Sequence, residues 1–382
     1  MDIRFLGFAF FLIFLGYSGV QHYVTPYFSE TGNSNVGFES LLIIYAFFLI
    51  ASPAAAVFIS NRGAKHTMML AAVFYSLFIL SLLTGSQTML YICSALLGAA
   101  AAFLWNGHSI YALRSSGSAH FGRTFGLLES FKAAGSALSP LLLAIIVSNY
   151  SFMAGFLIFA VAPLLGIFAL SRISDVRSDH SLHHPKFAKA GLKSLTMIRL
   201  SIFWFTMSFI FGLAIGVIPI DIGRTFGLFY VGMIQTITYT SSILLGYFFG
   251  HASDRVGRAK SILFIYAAIA SGLIFISFPG PVFLLAGVTL VVFTSTASKS
   301  ILGALIGDTV TEENFEIATS FFWMVQNVGT VSALLLSRAL NGNSQLIYLI
   351  SLGVIIISAA NVFLLLRKGT TSIKERISAE LR

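Results

Sequence analysis

Gly250-His251-Ala252-Ser253-Asp254-Arg255-Val256-Gly257-Arg258-Ala259-Lys260 sets four formal charges between apolar runs at 242–249 and 261–278. A charged, glycine-punctuated turn has no place in hydrocarbon, so it is expected to cap two membrane helices at a water interface. Translocation disfavours Lys and Arg, which puts that interface on the cytoplasmic side.

Composition agrees with a membrane class. Hydrophobic residues make up 57% of the 382-residue chain and charged residues 10%, with a mean hydropathy of +0.89. A soluble domain carries about 25% charged residues. Cys93 is alone, which leaves no disulfide framework and no thiolate metal site. The first thirty residues are apolar for too long to be a removable leader and are expected to form the first span.

Twelve runs reach the length of about 20 residues needed to cross a bilayer. They lie near 4–28, 36–60, 66–84, 88–113, 123–148, 151–172, 199–221, 226–250, 261–278, 281–306, 315–339 and 344–366. The expected fold is therefore an all-α membrane protein of twelve transmembrane helices in two six-helix pseudo-repeats. The first half covers 1–172, a central loop 173–197, the second half 198–367 and a tail 368–382. Of the 23 Lys and Arg residues, 19 fall in one set of loops and ends, and only Arg224 and Arg338 in the other. Both termini are thus expected in the cytoplasm, in a multi-pass protein of the cell membrane. That asymmetry accounts for the net charge of +9, so no nucleic-acid partner is implied.

The quoted stretch resembles the G-x-x-x-D-R-x-G-R-[RK] loop signature of the major facilitator superfamily, with Gly250, Asp254, Arg255, Gly257 and Arg258 matching. The resemblance implies a gating loop between the second and third helices of a half, with a weaker copy in the other half. Ser60-Asn61-Arg62-Gly63-Ala64-Lys65 is that copy, about 193 residues earlier, with Asn61 in place of the acid and Arg62 retained. It further implies a secondary transporter of a small-molecule solute working by alternating access, with one chain as the working unit. In helix five, Gly126, Gly135, Ser139 and Pro140 partly follow the family's antiporter pattern. Small residues at this spacing also permit plain close packing.

A repeat is visible without the family. At an offset of 194, Gly135 falls on Gly329, Lys132 on Gln326 and Glu129 on Trp323. Helices three, six, nine and twelve lack charge through their centres and are expected to face lipid all round. Helices one, four, five, ten and eleven carry the polar groups and are expected to line a wet cavity.

Three intramembrane charges stand out, because each costs about 2.5–3.5 kcal/mol at a helix centre facing lipid. Lys132 lies nine residues past Arg123 and Lys299 nine before Asp308. Each is then roughly 13–14 Å deep, near the middle of a core about 30 Å thick. Glu129 is three residues before Lys132, which allows an ion pair; it is the candidate proton-coupling group, and a merely structural pair fits as well. Candidate solute contacts are Lys132, Lys299, Gln21 and His22 on helix one, Trp105, Asn106 and His108 on helix four, and Trp323, Gln326 and Asn327 on helix eleven. Each of these uncharged residues equally fits helix packing. The charges sum to +1 and favour an anionic organic solute.

Other classes fit less well. No phosphate-binding loop or cofactor motif occurs, and no nucleophile–base pattern marks an enzyme. His180, His183 and His184 read as a solvated linker rather than a metal site. A non-transporting membrane chaperone or regulator on the same fold would lack the midplane lysines or have long extramembrane segments.

Overall fold

The structure is a computed structural model that describes residues 2–30, 33–116, 121–175, 194–310, 315–340 and 343–366, with 373, 375 and 377. Its helices are α1 (Asp2–Glu30), α2 (Ser34–Arg62), α3 (Ala64–Ser81), α4 (Gln87–Ser115), α5 (Phe121–Asn149) and α6 (Phe152–Ser171) in the first half. The second half holds α7 (Leu195–Ile215), α8 (Val217–Phe226), α9 (Leu228–Val256), α10 (Arg258–Ser277), α11 (Pro281–Thr309), α12 (Phe315–Ala339) and α13 (Ser344–Leu366). Within the described residues, ten helical stretches are long and apolar enough to cross a membrane. One of them joins α7 and α8, and the 29-residue α9 and α11 complete twelve spans.

Local chemistry sets the ends. Ser86, Ser151 and Ser194 cap α4, α6 and α7, each side chain accepting a bond from a first-turn backbone N–H. The seventh span, expected as one helix, breaks at Gly216 (φ −97°, ψ −86°). Pro219 then falls in the first turn of α8, where its missing N–H costs nothing. Pro26, by contrast, is accommodated inside an unbroken α1.

The two halves repeat with a step of 194 residues. The starts of α2, α3, α4 and α5 map onto those of α9, α10, α11 and α12, and the ends of α2 and α4 onto those of α9 and α11. Packing repeats as well as boundaries. A Cβ on Gly135 would lie 2.2 Å from the Phe11 carbonyl oxygen and 3.1 Å from the Leu15 nitrogen. On Gly329 it would meet the Phe205 oxygen and the Phe209 nitrogen at the same two distances. Only glycine lets these helices approach so closely.

The charged stretch is tighter than expected. Gly250 to Val256 continue α9 and Arg258 opens α10, so the turn is Gly257 alone (φ +98°, ψ 146°). Gly63 (φ +86°, ψ 159°) does the same between α2 and α3. A single residue can reverse the chain here because glycine adopts positive φ without a Cβ clash. Aligning these two glycines corrects the loop register by one: Ser60, not Asn61, stands opposite Asp254, and Arg62 opposite Val256.

The helices expected to face lipid all round, α3, α6, α10 and α13, each bury one side. Tyr75, Phe156, Tyr266 and Tyr348 are almost fully buried, while Phe168, Ile357 and Leu364 project outward. The second half begins at α7, a little before residue 198, and α13 ends at Leu366, just short of 367. Most of the central loop, His180, His183 and His184 among it, and most of the tail lie outside the described residues.

The halves meet along two seams. In one, α5 runs against α9: Ser130 donates to the Ile243 carbonyl (2.8 Å) and Thr236 to the Ala137 carbonyl (2.8 Å). In the other, α12 lies against α2 and α4, joined by ion pairs near both of its ends. Arg114 binds Glu316 at 2.6 Å on the face carrying Gly63 and Gly257, here the basic face. Arg338 binds Glu39 at 2.9 Å on the opposite face.

Candidate functional site

Between the seams lies a cavity of about 880 Å3 of empty volume, continued toward the basic face by a smaller chamber of about 400 Å3. Trp105, Trp323, Lys299 and Gln326 line both. The two indoles, one from each half, stand 5.0 Å apart at 40° and form the waist between the chambers. Trp323 also donates its indole N–H to Ser109 (3.2 Å) and stacks on Phe48 (5.6 Å).

Both lysines reach this waist. Lys132 on α5 places its Nζ 5.3 Å from the Trp105 ring centre, and Lys299 on α11 places its own at 5.5 Å. Lys299 Nζ also lies 4.6 Å from the Phe211 ring. Their partners differ. Lys132 is hydrogen-bonded to Glu129 one turn back on α5. Among the described residues Lys299 forms no ion pair, and the faces of two aromatic rings take the place of a counter-charge. Asp221 on α8 accepts hydrogen bonds from Ser344 and Tyr348 (2.8 and 2.7 Å).

The remaining candidates divide. Gln21, Gln326 and Asn327 line the larger cavity; Gln21 donates to the Tyr45 hydroxyl (2.5 Å) and Asn327 to the Trp323 carbonyl (2.7 Å). His108 and Glu129 line the smaller chamber. His22 is set back behind Tyr239, to whose hydroxyl it is bonded at 3.1 Å. Asn106 does not line either chamber: it is buried and donates to the Ala102 carbonyl one turn back (2.8 Å). It neighbours Trp105 in sequence, but one helical step of about 100° turns it away.

Several wall residues were not expected. Tyr45 and Phe48 on α2, Phe211 on α7, Tyr239 on α9 and Tyr17 and Tyr75 on α1 and α3 line the larger cavity. A signal existed in part: Tyr17 stands one turn before Gln21, on the same face of α1.

The residues of the expected gating loops sit at the basic face. Asp254 pairs with Arg258 (2.7 Å), which also binds Asp308 (2.6 Å). Asp308 is the last charged residue of α11, and Glu316 lies in the first turn of α12; residues 311–314 lie outside the described set. Gly250 and Gly122 allow a close approach between α9 and α5, and the Asp254 carboxylate rests on Gly122, at the start of α5. In the first half Asn61 and Arg62 are exposed, and the carboxylate over the turn is Asp175, against Gly63. Among the described residues no three His, Cys, Asp or Glu gather as a metal site.

The sequence profile of the Major Facilitator Superfamily matches residues 6–219 and again 200–381, between them nearly the whole chain. The chain belongs to the major facilitator superfamily. Its two matches begin 194 residues apart, the step by which the helices repeat. The superfamily fold is also that of the human organic anion transporter MFSD10 (TETRAN), to which the chain is similar with a TM-score of 0.74 at 11% identity, over 94% of this chain and 98% of that one. Among curated relatives, UNC93-like protein 3 of Arabidopsis thaliana is 33% identical over 110 residues, 29% of this chain and 23% of the relative. Protein unc-93 homolog A of Bos taurus is 32% identical over 111 residues, 29% of this chain and 24% of the relative. The aligned segments thus span about a quarter of the length of these relatives.

Proposed function

We propose that this superfamily member is a secondary transporter that carries a small organic anion by alternating access, with Lys299 as the receptor for the negative group. The observation that carries this reading is the inequality of the two lysines. Lys132 already has Glu129, whereas Lys299 faces the cavity beside two ring faces and, among the described residues, without an ion pair of its own. A lone ammonium in a mostly apolar chamber is a poor resting state and a strong attractor for an anion. The basic face is read as cytoplasmic, with both termini on that side of the cell membrane and a single chain as the unit.

The same inequality supports exchange. Closing the empty cavity confines an uncompensated charge, so the halves change sides readily only when an anion is bound. This keeps antiport but supplies a second anion where the sequence reading had a proton on Glu129. Protonating Glu129 would strip Lys132 of its partner and leave two bare ammonium groups instead of one.

Proteoliposomes test both steps. Uptake of a labelled anion should rise several-fold when the lumen is preloaded with unlabelled anion, and Lys299→Gln should abolish it. Uptake into empty vesicles driven by a pH gradient alone would refute exchange; unchanged uptake by Lys299→Gln would refute the receptor.

A further inference from the structure

We infer that the solute is a flat aromatic monocarboxylate, its carboxylate at Lys299 and its ring against the indoles and phenyl rings of the larger chamber. This rests on the reading of Lys299 as the anion receptor and adds the charge number and the body of the solute to it.

The charge number follows from counting. Lys132, Lys299 and Glu129 are the charged residues among those lining the two chambers. With Lys132 and Glu129 paired, the walls present a single positive charge, which one carboxylate cancels. A second carboxylate would have to break the buried pair or remain uncompensated, and either weakens binding. The type of anion follows from the same count: a phosphate monoester carries close to two negative charges near neutral pH, whereas a carboxylate carries the one that a single ammonium cancels.

The body follows from the walls. Trp105, Trp323, Phe48, Phe211, Tyr17 and Tyr75 surround the larger chamber. Tyr17 and Tyr75 already meet edge to face at 4.8 Å, and Phe48 and Trp323 stack at 5.6 Å. An aromatic solute continues both patterns, and such ring pairs add about 0.5–1.5 kcal/mol beyond burial.

The test is thermal unfolding of the purified full chain in detergent with four probes: 2-naphthoate, its saturated decahydro analogue, 2,6-naphthalenedicarboxylate and 2-naphthylmethylammonium. The expected result is stabilisation by 2-naphthoate, with about three- to tenfold weaker binding of the decahydro analogue and at least comparable weakening for the dicarboxylate. The shift should vanish in Lys299→Gln and survive in Lys299→Arg, which keeps the charge and controls for misfolding. Equal binding of the saturated and aromatic carboxylates overturns the aromatic assignment and leaves the anion receptor standing. Tighter binding of the dicarboxylate, still dependent on Lys299, overturns the charge number alone. Binding of the ammonium probe only, or of none of the four, overturns this inference and the anion reading together.

Discussion

Lys132 and Lys299, from opposite halves of the chain, bring their ammonium groups to within 5.3 and 5.5 Å of the centre of one ring, that of Trp105. Only one of the two has a carboxylate partner among the described residues. The pair therefore answers differently to the same substitution.

Lys132→Ala strands Glu129 inside the bundle and should destabilise the protein by about 3–5 kcal/mol. Adding Glu129→Gln should recover most of that loss. Lys299→Ala removes an unpaired charge and should leave stability unchanged or raised while abolishing anion-dependent stabilisation. Thermal unfolding of the three variants, with and without 2-naphthoate, separates the roles. Equal destabilisation by Lys132→Ala and Lys299→Ala would show that both are structural.

Gly135→Ala and Gly329→Ala should cost nearly the same, about 1–3 kcal/mol each. Each new methyl meets a backbone carbonyl, of Phe11 or Phe205, at the same impossible distance of 2.2 Å. Unequal unfolding shifts would mean that the two halves do not pack by one rule.

The ion pairs at the two faces should act in opposite senses. Glu316→Gln releases Arg114 and should raise the reactivity of a cysteine placed near the basic end of the cavity. Arg338→Gln releases Glu39 and should do so at the opposite end. Breaking a pair of this kind shifts populations rather than creating a new state. Thiol labelling reads this cleanly in a Cys93→Ser background, since the chain has a single cysteine. Labelling that rises at both ends in both variants would discard the opposition.

Gly257→Ala should destabilise by about 1–2 kcal/mol, because the turn needs φ near +98° and an L side chain strains there. There is open space where the methyl would go, so the loss measures backbone strain alone. An unfolding shift near zero would mean that α9 and α10 can meet without that conformation.

Much of this was legible in the chain itself. Apolar length marks the spans, and charge depth brings Lys132 and Lys299 to the same level, because a charge within hydrocarbon length has few places to go. The indoles of Trp105 and Trp323 were legible as partners of those polar helices. The walls were not. Tyr45, Phe48 and Phe211 sit in runs whose adjacent residues are apolar or glycine, and lipid is as apolar as a protein core, so the usual 3.6-residue contrast fades. Which side of such a helix faces inward is decided by the helix it packs against. The loop register slipped by one at Asn61 for a related reason: charges were aligned, whereas the backbone aligns the glycines Gly63 and Gly257.

α12 bears Glu316 near one end and Arg338 near the other, 22 residues or about 33 Å apart, with Trp323 between them. A stiff rod fastened at both tips behaves as a seesaw: tilting it to unfasten one tip presses the other down. On the alternating-access proposal, simultaneous opening would require the rod to bend sharply, so the rigidity of one helix would guard against a leak of ions down their gradient.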